Sequence, residues 1–169
     1  MLKYDMVVVA DYGHGMMTSE LIDEVTSSQV FLALTTQANA GNRGFNTVSR
    51  YGRADYVCLN GNEVMLELRA SEGNIKDLVA QLCGRLSCKK FTVTLGRAGM
   101  MQYDVDQGFF DAPALALNVA DRVGAGDAVL AATSPMVALG MPWEMVGLVG
   151  NLAGAESVAE LGNKRVLKL

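Results

Sequence analysis

The stretch Asp121-Arg122-Val123-Gly124-Ala125-Gly126-Asp127-Ala128 carries the densest chemistry in the chain. It lies between an alternating segment, Pro113 to Val119, that reads as a strand, and an Ala/Val/Leu/Met-rich segment, Ala128 to Leu139, that reads as a buried helix. Ser134-Pro135 is the point where that helix would kink or divide. A glycine-rich turn between strand and helix leaves several backbone N–H groups unpaired and aimed at one point, where the helix dipole adds partial positive charge. Such a turn is an anion site, most often for phosphate, and Gly124 and Gly126 let the backbone come close to the ligand. Asp127 does not suit a plain phosphate cradle, because a carboxylate among the donors weakens ground-state binding. It suits a site that must also take a proton from a hydroxyl attacking that phosphate. Two other readings stay open on these residues alone. Gly124-Ala125-Gly126 begins a dinucleotide-type Gly-x-Gly-x-x-Gly, although Val129 replaces the third glycine and Glu144, the acid at about the ribose-binding distance, lies beyond Pro142. A helix start with an acidic first-turn residue would account for Asp127 without any ligand.

Other polar residues gather where strands should end. Met6-Val7-Val8-Val9-Ala10 runs into Asp11-Tyr12-Gly13-His14-Gly15, a turn at the strand's C-terminal end, the edge where open α/β sheets bind ligands. That makes Asp11 a candidate site residue, while His14 reads as an ordinary loop histidine. Residues 37–46 form a polar, glycine-containing loop on the same edge, and the guanidinium of Arg43 suits phosphate oxygens as well as it suits solvent. Asn60-Gly61-Asn62-Glu63 is first a capping pair: Asn60 accepts from an early helix N–H and Glu63 reaches back to the cap.

The elements that position these residues follow from the hydrophobic pattern. Tyr4 to Ala10, Val30 to Thr35, Asp55 to Leu59 and Phe91 to Leu95 read as strands; the first contains the continuous apolar run Met6 to Ala10, suited to burial on both faces, and the second reads as buried too. Thr18 or Ser19 caps the helix between the first two strands, and Asn74 to Cys88 is amphipathic, with Ile75, Leu78, Val79, Leu82 and Leu86 on one stripe. Met100 to Tyr103 follows the turn Gly96-Arg97-Ala98-Gly99, and Pro142 suits the first turn of a last helix. Alternating strands and helices predict a layered α/β/α fold with a mainly parallel sheet.

At 169 residues the chain reads as a single domain, residues 1–169, with half its residues apolar. No apolar run approaches the ~18 residues of a membrane span, and the N-terminus lacks the marks of a secretory signal. The net charge of −4, with no basic run, disfavours nucleic acid as a partner. Cys58, Cys83 and Cys88 are odd in number and lack metal spacing, which fits reduced thiols in a cytoplasmic protein.

Asp121-x-x-Gly124-Ala125-Gly126-Asp127 resembles the C-terminal signature of the ribokinase-like (PfkB) carbohydrate kinases. The resemblance implies that Gly124, Ala125 and Gly126 form the anion hole for the transferred phosphoryl group and that Asp127 is the base. It implies ATP and Mg²⁺, with Asn60 and Glu63 as the Asn-x-x-Glu motif that places the metal and the nucleotide phosphates, largely through water. Mg²⁺ keeps several waters, so two oxygen-bearing side chains are sufficient. Thr94-Leu95-Gly96-Arg97-Ala98-Gly99 resembles the family's nucleotide-binding turn, which places Thr94, Gly96 and Gly99 along the nucleotide, and Asn151 matches a position beside the adenine base. Asp11-Tyr12-Gly13-x-Gly15 is similar to the Asp-Tyr-x-Lys-Gly segment of the heptose-phosphate kinase branch, with His14 in place of the lysine; Arg122 stands where relatives commonly have threonine. The resemblance spans nearly the whole chain but only about the C-terminal half of the family, so the N-terminal strands and the sugar-binding lid are expected to be missing. The expected activity is phosphoryl transfer from Mg-ATP to a hydroxyl of a sugar or sugar phosphate, needing the missing half. The alternative is a nucleotide-binding regulatory or assembly module without turnover. An interior-type first strand without upstream neighbours also predicts a homo-oligomer or a separate N-terminal subunit.

Overall fold

The computed structural model describes residues 3–42, 44–115 and 124–159. Among them the strands form one six-stranded sheet in sequential order. β1 (Met6–Asp11), β2 (Phe31–Thr36), β3 (Tyr56–Asn60) and β4 (Lys90–Thr94) are mutually parallel. β5 (Met100–Asp104) and β6 (Gly108–Ala112) then turn back antiparallel. The helices are α1 (Ser19–Ser27), α2 (Gly61–Leu68), α3 (Ile75–Arg85), α4 (Ala125–Ala138) and α5 (Trp143–Val158).

Strand alternation divides the core in two. Leu32, Leu34, Val57, Leu59, Phe91 and Val93 face the α1, α2 and α3 side, where Ile22, Val64, Val79 and Leu82 complete the layer. Ala33, Tyr56, Cys58 and Met100 face the other side, against Val129, Leu130 and Val137 of α4 and Trp143 and Val146 of α5. The expected α/β/α layering is therefore present. It explains why β2 reads as a buried strand, since a strand covered on both faces gains from an apolar side chain at every position. β1, read as covered on both faces too, is less enclosed, with Val8 41% exposed.

Caps set the helix starts. The Thr18 hydroxyl accepts from the Leu21 amide at 3.3 Å, and Asn74 accepts from Lys76 at 2.9 Å. α4 runs undivided through Pro135. Beside that proline the hydroxyls of Thr133 and Ser134, both fully buried, turn back onto the carbonyls of Val129 and Leu130 at 2.7 and 2.6 Å, which satisfies them inside the core.

One strand differs from expectation. The chain pairs back onto β5 at Gly108–Ala112, while residues 113–115 lie outside any strand and 116–119 fall outside the described residues. Aromatic packing fixes the register: Phe109 stacks on Tyr103 with ring centroids 4.4 Å apart, and Phe110 on Trp143 at 6.3 Å.

β1 has β2 on one side and no strand on the other among the described residues, and Val8 is 41% exposed. An apolar strand with a free edge invites association. The chain is therefore expected to self-associate or to pair with an N-terminal subunit at low micromolar concentration, as sedimentation would show. A stable monomer in which the chain's own helices shield residues 6–10 would overturn this.

Candidate active site

The four parallel strands end at one edge of the sheet, and the start of α4 is brought to the same edge. Gly124 is the residue before the helix, left-handed at φ 84°, with no side chain capping the first turn. The first intrahelical bond of that turn runs from the Ala128 amide to the Gly124 carbonyl at 3.0 Å. The earlier amides therefore have no acceptor within the helix, and a Cβ placed on Gly126 would meet nothing within 4 Å. Asp121 and Arg122 fall outside the described residues.

Asp127 is the third residue of α4 and is half-buried. Both of its oxygens are bonded: the Tyr12 hydroxyl donates to Oδ2 at 2.8 Å, and the Gln37 amide donates to Oδ1 at 3.0 Å. The bond to Asp127, then burial, raises the Tyr12 phenol above its ordinary value. Tyr12 follows β1 and Gln37 follows β2, so two adjacent strand ends converge on the carboxylate.

The Asn60-x-x-Glu63 cap forms in full. Asn60 Oδ1 accepts from the Glu63 amide, and Glu63 Oε2 accepts from the Asn60 amide, each at 2.9 Å. Glu63 Oε1 has one more partner, the Ala38 amide at 3.4 Å. Burial raises the Glu63 carboxyl above its ordinary value; these backbone bonds oppose the shift, and the Asp127 charge adds to it. Beneath both acids, burial and then the Glu63 and Asp127 carboxylates push the Cys58 thiol up to about 12, so it stays protonated. A cleft of about 310 Å³ opens beside Glu63, lined by Ala38, Asn39, Ala40, Asn60, Asn62 and Leu66 as well. Among the described residues no cluster of three or more His, Cys, Asp or Glu is built to hold a bare metal ion. A hydrated ion held through Asn60 and Glu63 would fit this sparse donor set.

The other sequence candidates divide into two groups. Thr94 pairs with Asn60 across β3 and β4, beside the cap. Gly96, at φ 60°, opens the short turn after β4 with free space around it. Gly99 and Asn151 meet elsewhere, at the end of β6. A Cβ on Gly99 would lie 2.1 Å from the Ala112 carbonyl oxygen, and the Asn151 amide donates to that oxygen at 3.3 Å and to the Gly147 carbonyl at 3.1 Å.

Asp11 is buried, and its carboxylate is taken up internally. It accepts from the Gly13 amide at 2.8 Å and the Tyr51 hydroxyl at 2.9 Å, with Arg50 at 3.5 Å. It braces the loop that carries Tyr12. Arg43 falls outside the described residues. The sequence reading overlooked Tyr12 and Gln37 as partners of Asp127. Their available signal was position, each following the end of one of two parallel strands.

Among the described residues no helix is long and apolar enough to cross a membrane. The sequence profile of the pfkB family carbohydrate kinases matches residues 22–167. The bifunctional protein HldE of Koribacter versatilis is 30% identical over 165 residues, covering 96% of this chain and 33% of that protein. HldE of Citrifermentans bemidjiense is 26% identical over 166 residues, 96% of this chain and 34% of that protein. The chain thus spans about a third of the length of these curated relatives. Among solved structures, phosphofructokinase-2 from Escherichia coli superposes with a TM-score of 0.78 at 15% identity, covering 94% of this chain and 52% of that one. Ribokinase from Thermotoga maritima superposes at 0.73 and 19%, covering 95% and 52%. The profile match over most of the sequence, on a sheet of the ribokinase-like fold, places the chain in the pfkB family of carbohydrate kinases.

Proposed function

We propose that the chain is the nucleotide-binding and phosphoryl-transfer half of an enzyme that moves a phosphoryl group from Mg-ATP to a hydroxyl of a sugar or sugar phosphate. The observation that carries this reading is Asp127, an acid held in the first turn of α4 beside amides with no acceptor in the helix. The amides at Gly124, Ala125 and Gly126 offset charge developing on the phosphoryl oxygens, which is usually a large share of the catalytic effect. Asp127 accepts the proton of the acceptor hydroxyl. Thr94, Gly96, Gly99 and Asn151 belong to the nucleotide side, Asn151 and Gly99 by shaping the end of β6. Asp11 and Arg43 belong to the acceptor side, Asp11 as the brace of its loop. Mg²⁺ would sit by Asn60 and Glu63, where it supplies charge neutralisation for the donor phosphates. The Asp11-Tyr12-Gly13 segment leans the acceptor toward a heptose phosphate. Most of the acceptor site would lie in an upstream half, since the chain spans only about half of each kinase of this fold described above.

The test is a coupled assay of phosphoryl transfer to a panel of sugars and sugar phosphates, with this chain alone and with the upstream half. Turnover that depends on that half supports the kinase. ATP binding without turnover in either arrangement overturns it in favour of a regulatory module.

Glu63→Gln tests the metal role within the same assay. Glutamine can keep the cap oxygen toward the Asn60 amide but loses the second acceptor toward Ala38, so stability should fall by about 1 kcal/mol or less. The Mg²⁺ concentration for half-maximal activity should rise. Because burial raises the wild-type carboxyl, protonation competes with the metal as pH falls through that raised value, and the Mg²⁺ requirement should climb there. Identical Mg²⁺ titrations for the two proteins would rule the role out.

A further inference from the structure

The two donors on Asp127 are themselves held by a dedicated set of side chains. Asn42 Nδ2 donates to the Tyr12 carbonyl at 2.9 Å and to the Gln37 carbonyl at 3.2 Å, so one amide ties together the two residues that grip Asp127. Asn39 Nδ2 donates to the Tyr12 carbonyl at 3.0 Å, and Asn46 Nδ2 to the Asp11 carbonyl at 2.8 Å. The Gln37 backbone N–H donates to the Asp11 carbonyl at 2.9 Å. Asn42 passes so close over the β1 turn that a Cβ on Gly13, at φ 71°, would lie 2.2 Å from its Nδ2. Tyr12 is 42% exposed, so its bond to Asp127 contributes little to the fold. The machinery around it is out of proportion to that contribution.

We infer that Tyr12 and Gln37 are positioning residues that lock the Asp127 carboxylate in the rotamer in which it receives the acceptor's proton. The inference rests on the kinase reading above. A carboxylate offers about four lone-pair positions; Tyr12 and Gln37 use one on each oxygen and leave the others for the acceptor hydroxyl. A base held in this way needs no reorientation when the acceptor arrives, which is the advantage of a preorganised site.

The first arm of the test needs no turnover. Tyrosine ring carbons are labelled in the full chain, and the phenols are titrated by NMR in wild type and Asp127→Ala. His14, stacked 6.4 Å from the Tyr12 ring, and Asp11 are the other titratable groups at this turn, and the His14 ring is followed in parallel. The Asp127 bond leads the causes that hold Tyr12 up, so Tyr12 should fall toward the ordinary value of about 10 in the variant. Tyr51, held up first by burial, should stay raised and certify the fold. A Tyr12 titration that does not move while Tyr51 stays raised overturns the inference.

The second arm is kinetic, in whichever assembly turns over. Tyr12→Phe should lower kcat about tenfold with the KM for ATP unchanged, and should add nothing in an Asp127→Asn background. Equal losses in both backgrounds, or a gain in kcat, would overturn it. The two claims fail separately: absence of phosphoryl transfer in wild type removes the kinase reading and leaves the titration to decide the positioning of Asp127.

Discussion

Asp127→Asn should lower kcat by about a hundredfold or more, the usual scale for losing a general base, while leaving folding and ATP binding intact. An asparagine keeps an oxygen for the Gln37 amide and presents its own amide to the Tyr12 hydroxyl, which can accept as well as donate. No bond that holds α4 in place is therefore lost. The measurement is steady-state kinetics in the active assembly, with the melting temperature and calorimetric ATP affinity as controls. A near-normal kcat would remove Asp127 from the chemistry. A variant that simply unfolds would return it to the role of an acid that stabilises a helix start.

The contrast between Asp127 and Asp11 shows what the sequence could and could not convey. Both are acids at turns, and both read as candidates for one crevice. Asp127 sits where a glycine-rich turn opens into a helix, and that local residue pattern pointed to an anion ligand. Asp11 sits at a strand end, and that pattern says nothing about Tyr51 and Arg50, which approach from forty residues away and occupy its carboxylate. Asn60 and Glu63 were legible because a capping box is local, closed by residues three apart. The partners of Asp127 were not, because Tyr12 and Gln37 reach it only after the sheet has brought its strand ends together. β6 was not read from the sequence for the same reason. Its register is set by Tyr103 and Trp143, contacts that hydrophobic alternation along one segment does not encode.

Gly99→Ala should cost the fold about 3–5 kcal/mol, which lowers Tm by roughly 6–15 °C in a chain of this size. The residue stands at φ 93°, and an added Cβ would meet the Ala112 carbonyl oxygen at 2.1 Å, the Ala114 amide at 2.6 Å and the Pro113 carbonyl carbon at 2.7 Å. All three are backbone atoms, which cannot rotate away as a side chain could. Gly96→Ala is the control: its φ of 60° carries about 1–2 kcal/mol of strain, and nothing lies within 4 Å of the new methyl. Thermal melts of the pair separate close backbone packing from turn conformation. If Gly96→Ala raises the KM for ATP with little change in Tm, this turn has its nucleotide contact at Gly96. Equal melting temperatures for the two variants would refute the packing role of Gly99.

The sheet is laid down in chain order, each strand beside the one before it. Such a sheet can grow as the polypeptide is synthesised, every new strand pairing with the one before it, so its strand contacts stay closer in sequence than those of a sheet with crossed strand order. α4 breaks that pattern. Its first turn must return across 115 residues of sequence to meet Tyr12, and the same step covers the apolar face of Ala33, Tyr56 and Cys58. Burial of the second core layer and the meeting of Asp127 with its donors are then one late event. A chain that stops short of α4 would hold the six strands with the face of Ala33, Tyr56 and Cys58 uncovered, so α4 brings the proposed base to its donors in the same step that covers that face.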